Sequence, residues 1–304
     1  MNRPPAAVLE QVQQALLALG DPGPIVATQP LGGGCIHAAL CLNTQKGPYF
    51  LKYNPHPKPY MFSAEARGLA LLRDTHTVRV PEVLAVADAT PNQPAYLLLE
   101  WIETEPVAGR FRPEILGEQL AQMHQTGISP RTPPAYGLDH DNYIGSNPQS
   151  NDWDEDWVHF FAERRLRPQV ELARNQGFLS PKRLKRLEAL MENLVDWLKG
   201  VKRQPALLHG DLWGGNIMIG TGGAPVLIDP AVYYSDREAE LAFTELFGGF
   251  SAGFYQAYQA VYPLEAGYRE RRDLYNLYHL LNHLNMFGES YGYPVDSILA
   301  HYVP

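Results

Sequence analysis

Hydrophobic and polar positions change period several times along the chain, and each change marks an element. Residues 6–19 carry apolar groups at helical spacing and stop at Gly20, which predicts a helix closed by a glycine cap. Three short alternating runs follow, over 25–31, 36–43 and 48–53, and read as strands. A helix is expected from about Met61, and strands over 80–87 and 95–99 complete a five-stranded sheet. From Pro113 the pattern turns helical, with an apolar stripe at Ile115, Leu116, Leu120 and Met123. The stretch 129–152 is rich in Pro, Gly, Asn, Asp and Ser and predicts mainly loop, long enough to wall a substrate cleft. Helices are expected over 153–176, 181–199, 235–247 and 250–287. A strand-rich first third and a helical remainder predict an α+β protein of two lobes. Residues 1–102 form a small, five-stranded antiparallel lobe in this reading, and residues 103–304 a larger, mainly helical one.

The most informative stretch is Leu207-Leu208-His209-Gly210-Asp211-Leu212-Trp213-Gly214-Gly215-Asn216, followed by Val226-Leu227-Ile228-Asp229-Pro230. Asn216 sits five positions after Asp211, and Asp229 thirteen after Asn216. Protein kinases space a catalytic Asp and a metal-binding Asn in the same way and place a second metal-binding Asp on the next hairpin. One carboxylate takes or orients a hydroxyl proton, while an amide oxygen and the second carboxylate hold Mg²⁺ on the ATP phosphates. The rival reading is a strand–turn–strand in which Asp211 and Asn216 only satisfy backbone groups. Upstream, Gly32-Gly33-Gly34-Cys35-Ile36-His37 joins the first two strands, and such a run lets backbone N–H groups point at phosphates. It lacks the full G-x-G-x-x-G spacing and reads equally as a plain hairpin. Its company supports the nucleotide reading: Lys52 ends the third strand and Glu65 follows on the next helix, the order of the ion pair that positions ATP in kinases. Their alternatives are a solvated edge charge and a first-turn carboxylate. Where Glu100, Trp101 and Ile102 cross into polar Glu103-Thr104-Glu105-Pro106, a hinge against the adenine edge is expected.

Composition narrows the field. The 304 residues suffice for one large or two modest lobes with a real core. A net charge of −8, with no Lys/Arg stripe to offset it, argues against a nucleic-acid partner. No apolar run reaches membrane-spanning length and the first residues lack a signal-peptide core, so no membrane partner and a cytoplasmic location are expected. Cys35 and Cys41 cannot form a disulfide framework, which fits a reducing compartment. An acidic chain that binds ATP must gather positive charge locally, through a Lys and Mg²⁺.

The motifs together resemble the fructosamine kinase (ketosamine 3-kinase) family, a branch of the aminoglycoside-phosphotransferase-like kinases with the protein-kinase-like fold. The resemblance runs through Gly32–Ile36, Asn142-Tyr143-Ile144-Gly145, Pro148-Gln149-Ser150-Asn151, and Asp156-Trp157-Val158-His159-Phe160-Phe161 on to Arg165-Leu166. It continues through His209–Asn216, Asp229-Pro230-Ala231, Asp236-Arg237-Glu238 and Thr244-Glu245-Leu246-Phe247-Gly248-Gly249. It implies ATP-dependent phosphorylation of the C3 hydroxyl of ketosamines, free or on protein lysines, with loss of the sugar from the unstable product. Asp211 would be the catalytic base, Asn216 and Asp229 the Mg²⁺ ligands, and Lys52 with Glu65 would hold phosphates beneath residues 32–37. Trp213 would be a platform for the sugar-amine or a buried indole closing the hairpin. His279 and His283 lie four apart on one helical face without a third zinc ligand, so packing or substrate contact is expected, His283 being the substrate candidate. Asp236 and Glu245 read as helix caps before substrate ligands. Oxidation of Cys35 would block ATP or link two chains, or the thiol is inert. A monomer or weak homodimer is expected. Two rivals stand beside this reading: a kinase of aminoglycosides, choline or homoserine-like alcohols, and a nucleotide-binding scaffold without turnover.

Overall fold

The computed structural model describes residues 4–32, 37–90, 93–104 and 111–304. The chain divides into two compact units, Met1–Phe111 with Met218–Pro230, and Arg112–Ile217 with Ala231–Pro304. A short segment from beyond the middle of the chain thus belongs with the first unit.

The first unit opens with α1 (Ala6–Ala18), followed by strands β1 (Ala27–Leu31), β2 (Ala38–Asn43) and β3 (Pro48–Asn54). Helix α2 (Met61–Asp74) and strands β4 (Val83–Ala87) and β5 (Ala95–Glu100) complete it. The strands form one antiparallel sheet in the order β1-β2-β3-β5-β4. Its core follows from two periods. Val8, Val12 and Leu16 recur every fourth residue on one side of α1, and they meet Leu40, Leu42, Leu51, Tyr53, Tyr96 and Leu98, alternate positions that share one sheet face. Helix α2 packs on β4 and β5. The strand expected over 80–87 begins only at Val83. Pro81 cannot donate to a ladder, and the backbone of Arg79 pairs instead with Val226, accepting the Leu227 N–H at 2.8 Å. That contact ties the hairpin formed by Ile217–Ile219 and Pro225–Leu227 to the first unit.

The second unit contains α3 (Pro113–Thr126), the hairpin β6 (Asn142–Ile144) and β7 (Asn147–Gln149), and α4 (Trp157–Phe160), which runs through a π-helical turn, Phe161–Leu166, into α5 (Arg167–Asn175). Next come α6 (Pro181–Glu192), α7 (Leu194–Leu198) and β8 (Ala206–Leu208). After the hairpin strands already described, now β9 and β10, strand β11 (Tyr233–Ser235) pairs antiparallel with β8. Helices α8 (Arg237–Leu246), α9 (Ala252–Val261), α10 (Tyr268–Phe287) and α11 (Gly292–Tyr302) finish the chain.

Several predicted helices divide where local chemistry intervenes. The helix expected from residue 153 starts at Trp157, because Asp156 caps it by accepting the His159 N–H at 2.7 Å. The expected 250–287 helix breaks over Tyr262–Gly267, where Pro263 lacks an N–H and Gly267 adopts φ +78°. The predicted loop 129–152 holds the β6–β7 hairpin, turned at Gly145 with φ 60°. Among the described residues, no helix is long and apolar enough to cross a membrane.

Candidate active site

In the first unit, the sheet and α2 bring Lys52 and Glu65 together. Lys52 lies on β3, its stem buried, and its ammonium donates to Glu65 at 2.6 Å and to the carboxylate of Asp229. Asp229 follows β10 in a left-handed conformation, φ 57°, and its side chain stays 47% exposed. Positive φ is uncommon for a side chain other than glycine, though Asp tolerates it better than most. Burial works against the Lys52 charge, yet the Glu65 and Asp229 carboxylates outweigh it and hold the proton more firmly than in an ordinary lysine. Two carboxylates share one cation, so burial, reinforced by the Asp229 charge, pushes the Glu65 carboxyl upward. The cluster is a cation poised beside an available carboxylate.

His37 closes the glycine run. Its ring packs on Phe62 at 4.8 Å, and its Nδ1 lies 3.2 Å from Asn54 Nδ2. Burial, and then the Lys52 charge, hold its pKa down to about 4, so the imidazole is neutral at pH 7. Gly32 is described; Gly33, Gly34, Cys35 and Ile36 lie outside the described residues. The expected hinge is placed at the end of β5. Ile102 is buried and Trp101 half-buried, while the Glu100 carboxylate is engaged by Arg79 at 2.6 Å and by the Glu82 N–H at 2.9 Å. The Glu100 backbone N–H is engaged as well, donating to the Glu82 carbonyl at 2.9 Å.

In the second unit, β8 delivers His209 and Gly210 to a turn set from beneath. Gly210 has φ 83°, and a Cβ there would lie 2.0 Å from the Ala231 carbonyl oxygen. Only glycine fits this crossing. Glu240 of α8, fully buried, accepts the Gly210 N–H at 2.7 Å and the His209 N–H at 3.1 Å. His124 of α3 lies 3.0 Å from the same carboxylate and 2.8 Å from the Tyr258 hydroxyl. Burial pushes Glu240 up, but the hydrogen bond and charge of His124, with further help from His209 and the Gly210 amide, bring its pKa below the ordinary value.

The next turn carries Asp211 and Asn216. Gly214–Asn216 forms a 3-10 turn, and the Asn216 amide nitrogen donates to the Asp211 carbonyl at 2.8 Å and to its carboxylate at 3.0 Å. With the nitrogen committed, the amide oxygen is the atom Asn216 has to offer a cation. Trp213 is 41% exposed, and its indole covers Gly215, where a Cβ would meet the ring at 2.3 Å. Asp229 in the first unit and Asn216 in the second each offer a hard oxygen, the donor type Mg²⁺ takes, and Mg²⁺ needs only one or two protein ligands when phosphates supply the rest.

Other expected residues have visible packing roles. His283 points Nδ1 at the His279 carbonyl, 2.7 Å away, and its ring packs among Phe247, Phe287 and Tyr291. His279 stacks on Phe243 at 3.6 Å. Asp236 caps α8 through the Glu238 N–H, whereas Glu245 does not cap but joins Tyr268 and Arg272 of α10. Cys41 is buried. Sequence reading passed over Glu240, because a first-turn acid on α8 carries no signal that separates a loop anchor from a dipole partner.

A family model described as fructosamine kinase matches residues 8–303. A probable ketoamine kinase of Synechocystis sp. is 42% identical, with 94% of each chain covered. A chloroplastic protein-ribulosamine 3-kinase of Oryza sativa subsp. indica is 39% identical over 97% of this chain and 84% of its own. The crystal structure of a candidate fructosamine-3-kinase from Haemophilus somnus 129PT superposes with a TM-score of 0.87 at 30% identity, covering 98% of this chain and all 100% of that one. An aminoglycoside phosphotransferase, APH(4)-Ia, shares the fold at a TM-score of 0.63 and 15% identity, covering 98% of this chain and 99% of its own. With a kinase-like α+β fold and a family model matched from residue 8 to residue 303, the chain belongs to the fructosamine kinase family.

Proposed function

We propose that this protein is an ATP- and Mg²⁺-dependent kinase that phosphorylates the C3 hydroxyl of ketosamines, the sugar adducts of amines and protein lysines, and so promotes their deglycation. The observation that carries the reading is Asn216 holding the Asp211 carboxylate at 3.0 Å on a turn anchored by Glu240, in a chain of this family. Asp211 receives the proton of the attacking hydroxyl as its oxygen bonds to the γ-phosphorus and the bond to ADP breaks. Asn216 keeps that carboxylate oriented and, with Asp229, would hold Mg²⁺. The metal, when bound, neutralises charge on the transferring group. Lys52, held in place by Glu65, leaves Asp229 for the phosphates beneath residues 32–37. Glu100, Trp101 and Ile102 present backbone to the adenine, while Trp213 and His283 are the proposed sugar-amine contacts. The proposed setting is the cytoplasm, where ATP is supplied and thiols stay reduced.

A panel of erythrulosyl-, ribulosyl- and fructosyl-lysine beside an aminoglycoside, choline and homoserine tests the proposal, with products identified by mass spectrometry. A phosphorylated ketosamine is the expected product. Phosphate found only on one of the simple alcohols overturns the substrate class, and ATP consumption with no acceptor favours the scaffold reading.

A further inference from the structure

Arg165 is fully buried, yet among the described residues no carboxylate lies within ion-pair reach of it. Its guanidinium donates to the carbonyls of Ser150 at 2.6 Å and Arg164 at 2.9 Å and to the side-chain oxygen of Asn151 at 2.7 Å, while Nε has no partner. The rings of Tyr233, Phe160 and Tyr278 surround it at 3.8, 4.7 and 5.7 Å. A buried charge without a counter-ion is strongly unfavourable, and apolar replacements of similar volume often serve stability as well or better. The residue also sits in the π-helical turn Phe161–Leu166, a rare geometry that occurs frequently at functional sites. Two unfavourable features at one residue call for a reason other than packing.

The hydrogen bonds supply one. Asn151 donates to Asn142 Oδ1 at 2.9 Å, and Gln149 donates to the same oxygen at 2.7 Å. Gln149 also reaches the Ala231 carbonyl at 3.1 Å, and Asn142 the Val232 carbonyl at 2.8 Å. Tyr278 closes the circuit by donating to Gln149 Oε1 at 2.6 Å. Ala231, held on this side, donates its N–H to the His209 carbonyl at 2.8 Å on the other, and its own oxygen is the atom that forbids a side chain at Gly210.

We propose that Arg165 is a positioning residue of the phosphotransfer site: its guanidinium anchors a side-chain network that fixes Ala231 and Val232 against the His209–Asp211 turn. The proposal rests on the kinase reading above. Arg165→Lys keeps the charge but loses the planar fork, Arg165→Met keeps volume without charge, and Tyr278→Phe removes one link while leaving the guanidinium alone.

The expected result is a kcat lower by ~10- to 100-fold in Arg165→Lys and Arg165→Met, and by roughly 10-fold in Tyr278→Phe, the scale on which supporting residues around a metal site act. KM for ATP stays near wild type. Amide hydrogen exchange at Gly210 and Ala231 becomes at least ~10-fold faster, while the thermal midpoint of Tyr278→Phe barely moves, a local opening without global loss. Wild-type kcat and wild-type exchange in both Arg165→Lys and Tyr278→Phe overturn the role, whatever Arg165→Met does to folding. A wild-type chain that phosphorylates no ketosamine sinks the kinase reading instead, and the exchange measurement remains readable without turnover.

Discussion

The Gly210 N–H donates to the Glu240 carboxylate at 2.7 Å, inside the protein and away from water. The same group receives the His209 N–H at 3.1 Å and lies 3.0 Å from His124 Nε2, so it fixes the approach to Asp211 from below. Glu240→Gln keeps the shape but turns an amide N–H toward groups that donate. Breaking one side of a buried, charge-assisted network costs about 3 kcal/mol. A denaturant midpoint should fall accordingly, and kcat should drop more than either KM. Wild-type turnover in a destabilised Glu240→Gln protein would show that the turn needs no such anchor.

Asp211→Asn removes the proton acceptor without changing volume. General-base removal typically costs ~10²- to 10⁴-fold, and the loss should fall on kcat while nucleotide affinity measured by calorimetry is retained. Near-normal activity would overturn the assignment of the base.

Lys52→Met leaves Glu65 and Asp229 without the cation they now share. Loss of one preorganised charged donor costs roughly 10²- to 10³-fold in turnover. KM for ATP should rise as well, and removing the second carboxylate with Glu65→Gln in the same chain should restore folding stability but not turnover. ATP kinetics unchanged in Lys52→Met would disconnect this cluster from the nucleotide.

At Gly210, φ 83° and a Cβ position 2.0 Å from the Ala231 oxygen both exclude a side chain. Gly210→Ala should cost about 1–3 kcal/mol in backbone strain alone, with the collision added to it. Thermal melting and ATP turnover should both fall. A protein that melts like wild type would mean the turn can open at no cost.

The stability of the fold should decline as pH falls from about 6.5, and histidine explains the sign. Burial and the Lys52 charge hold His37 down to about 4, and burial keeps His279 well below its usual range. Below pH 6.5 the unfolded chain takes up protons that these folded rings refuse, so protonation favours unfolding. Glu240 adds to the trend further down: its folded pKa lies below 4.5, so its contribution is complete above 4.5 and disappears as pH falls through the lowered value. Denaturant titrations across this range should show stability rising with pH, and His37→Asn should flatten the slope. A flat profile in the wild type would contradict the buried neutral rings.

Much of this molecule is written locally. The sheet strands alternate with period two, and the His-Gly-Asp turn announces itself because Gly210 and the Asp211–Asn216 interval admit few conformations. The partners of that turn are less legible, since Glu240 comes from a helix 30 residues later and His124 from one 86 residues earlier. Nothing in either helix distinguishes a buried polar side chain from a solvated one. The β6–β7 hairpin hides in a stretch of Asn, Pro and Ser for a similar reason: its residues are selected by side-chain bonds to Ala231 and Val232, not by strand propensity. The helices predicted over 181–199 and 250–287 are interrupted because apolar spacing continues past Asn193 and Pro263 while the helical backbone does not.

The detour of residues 218–230 into the first unit has a genetic corollary. Ending the coding sequence at Phe111 yields a half that lacks Val226, the backbone mate of Arg79, and Asp229, the second anion on Lys52. A version split at Phe111 would therefore need residues 218–230 supplied in trans to complete the first unit.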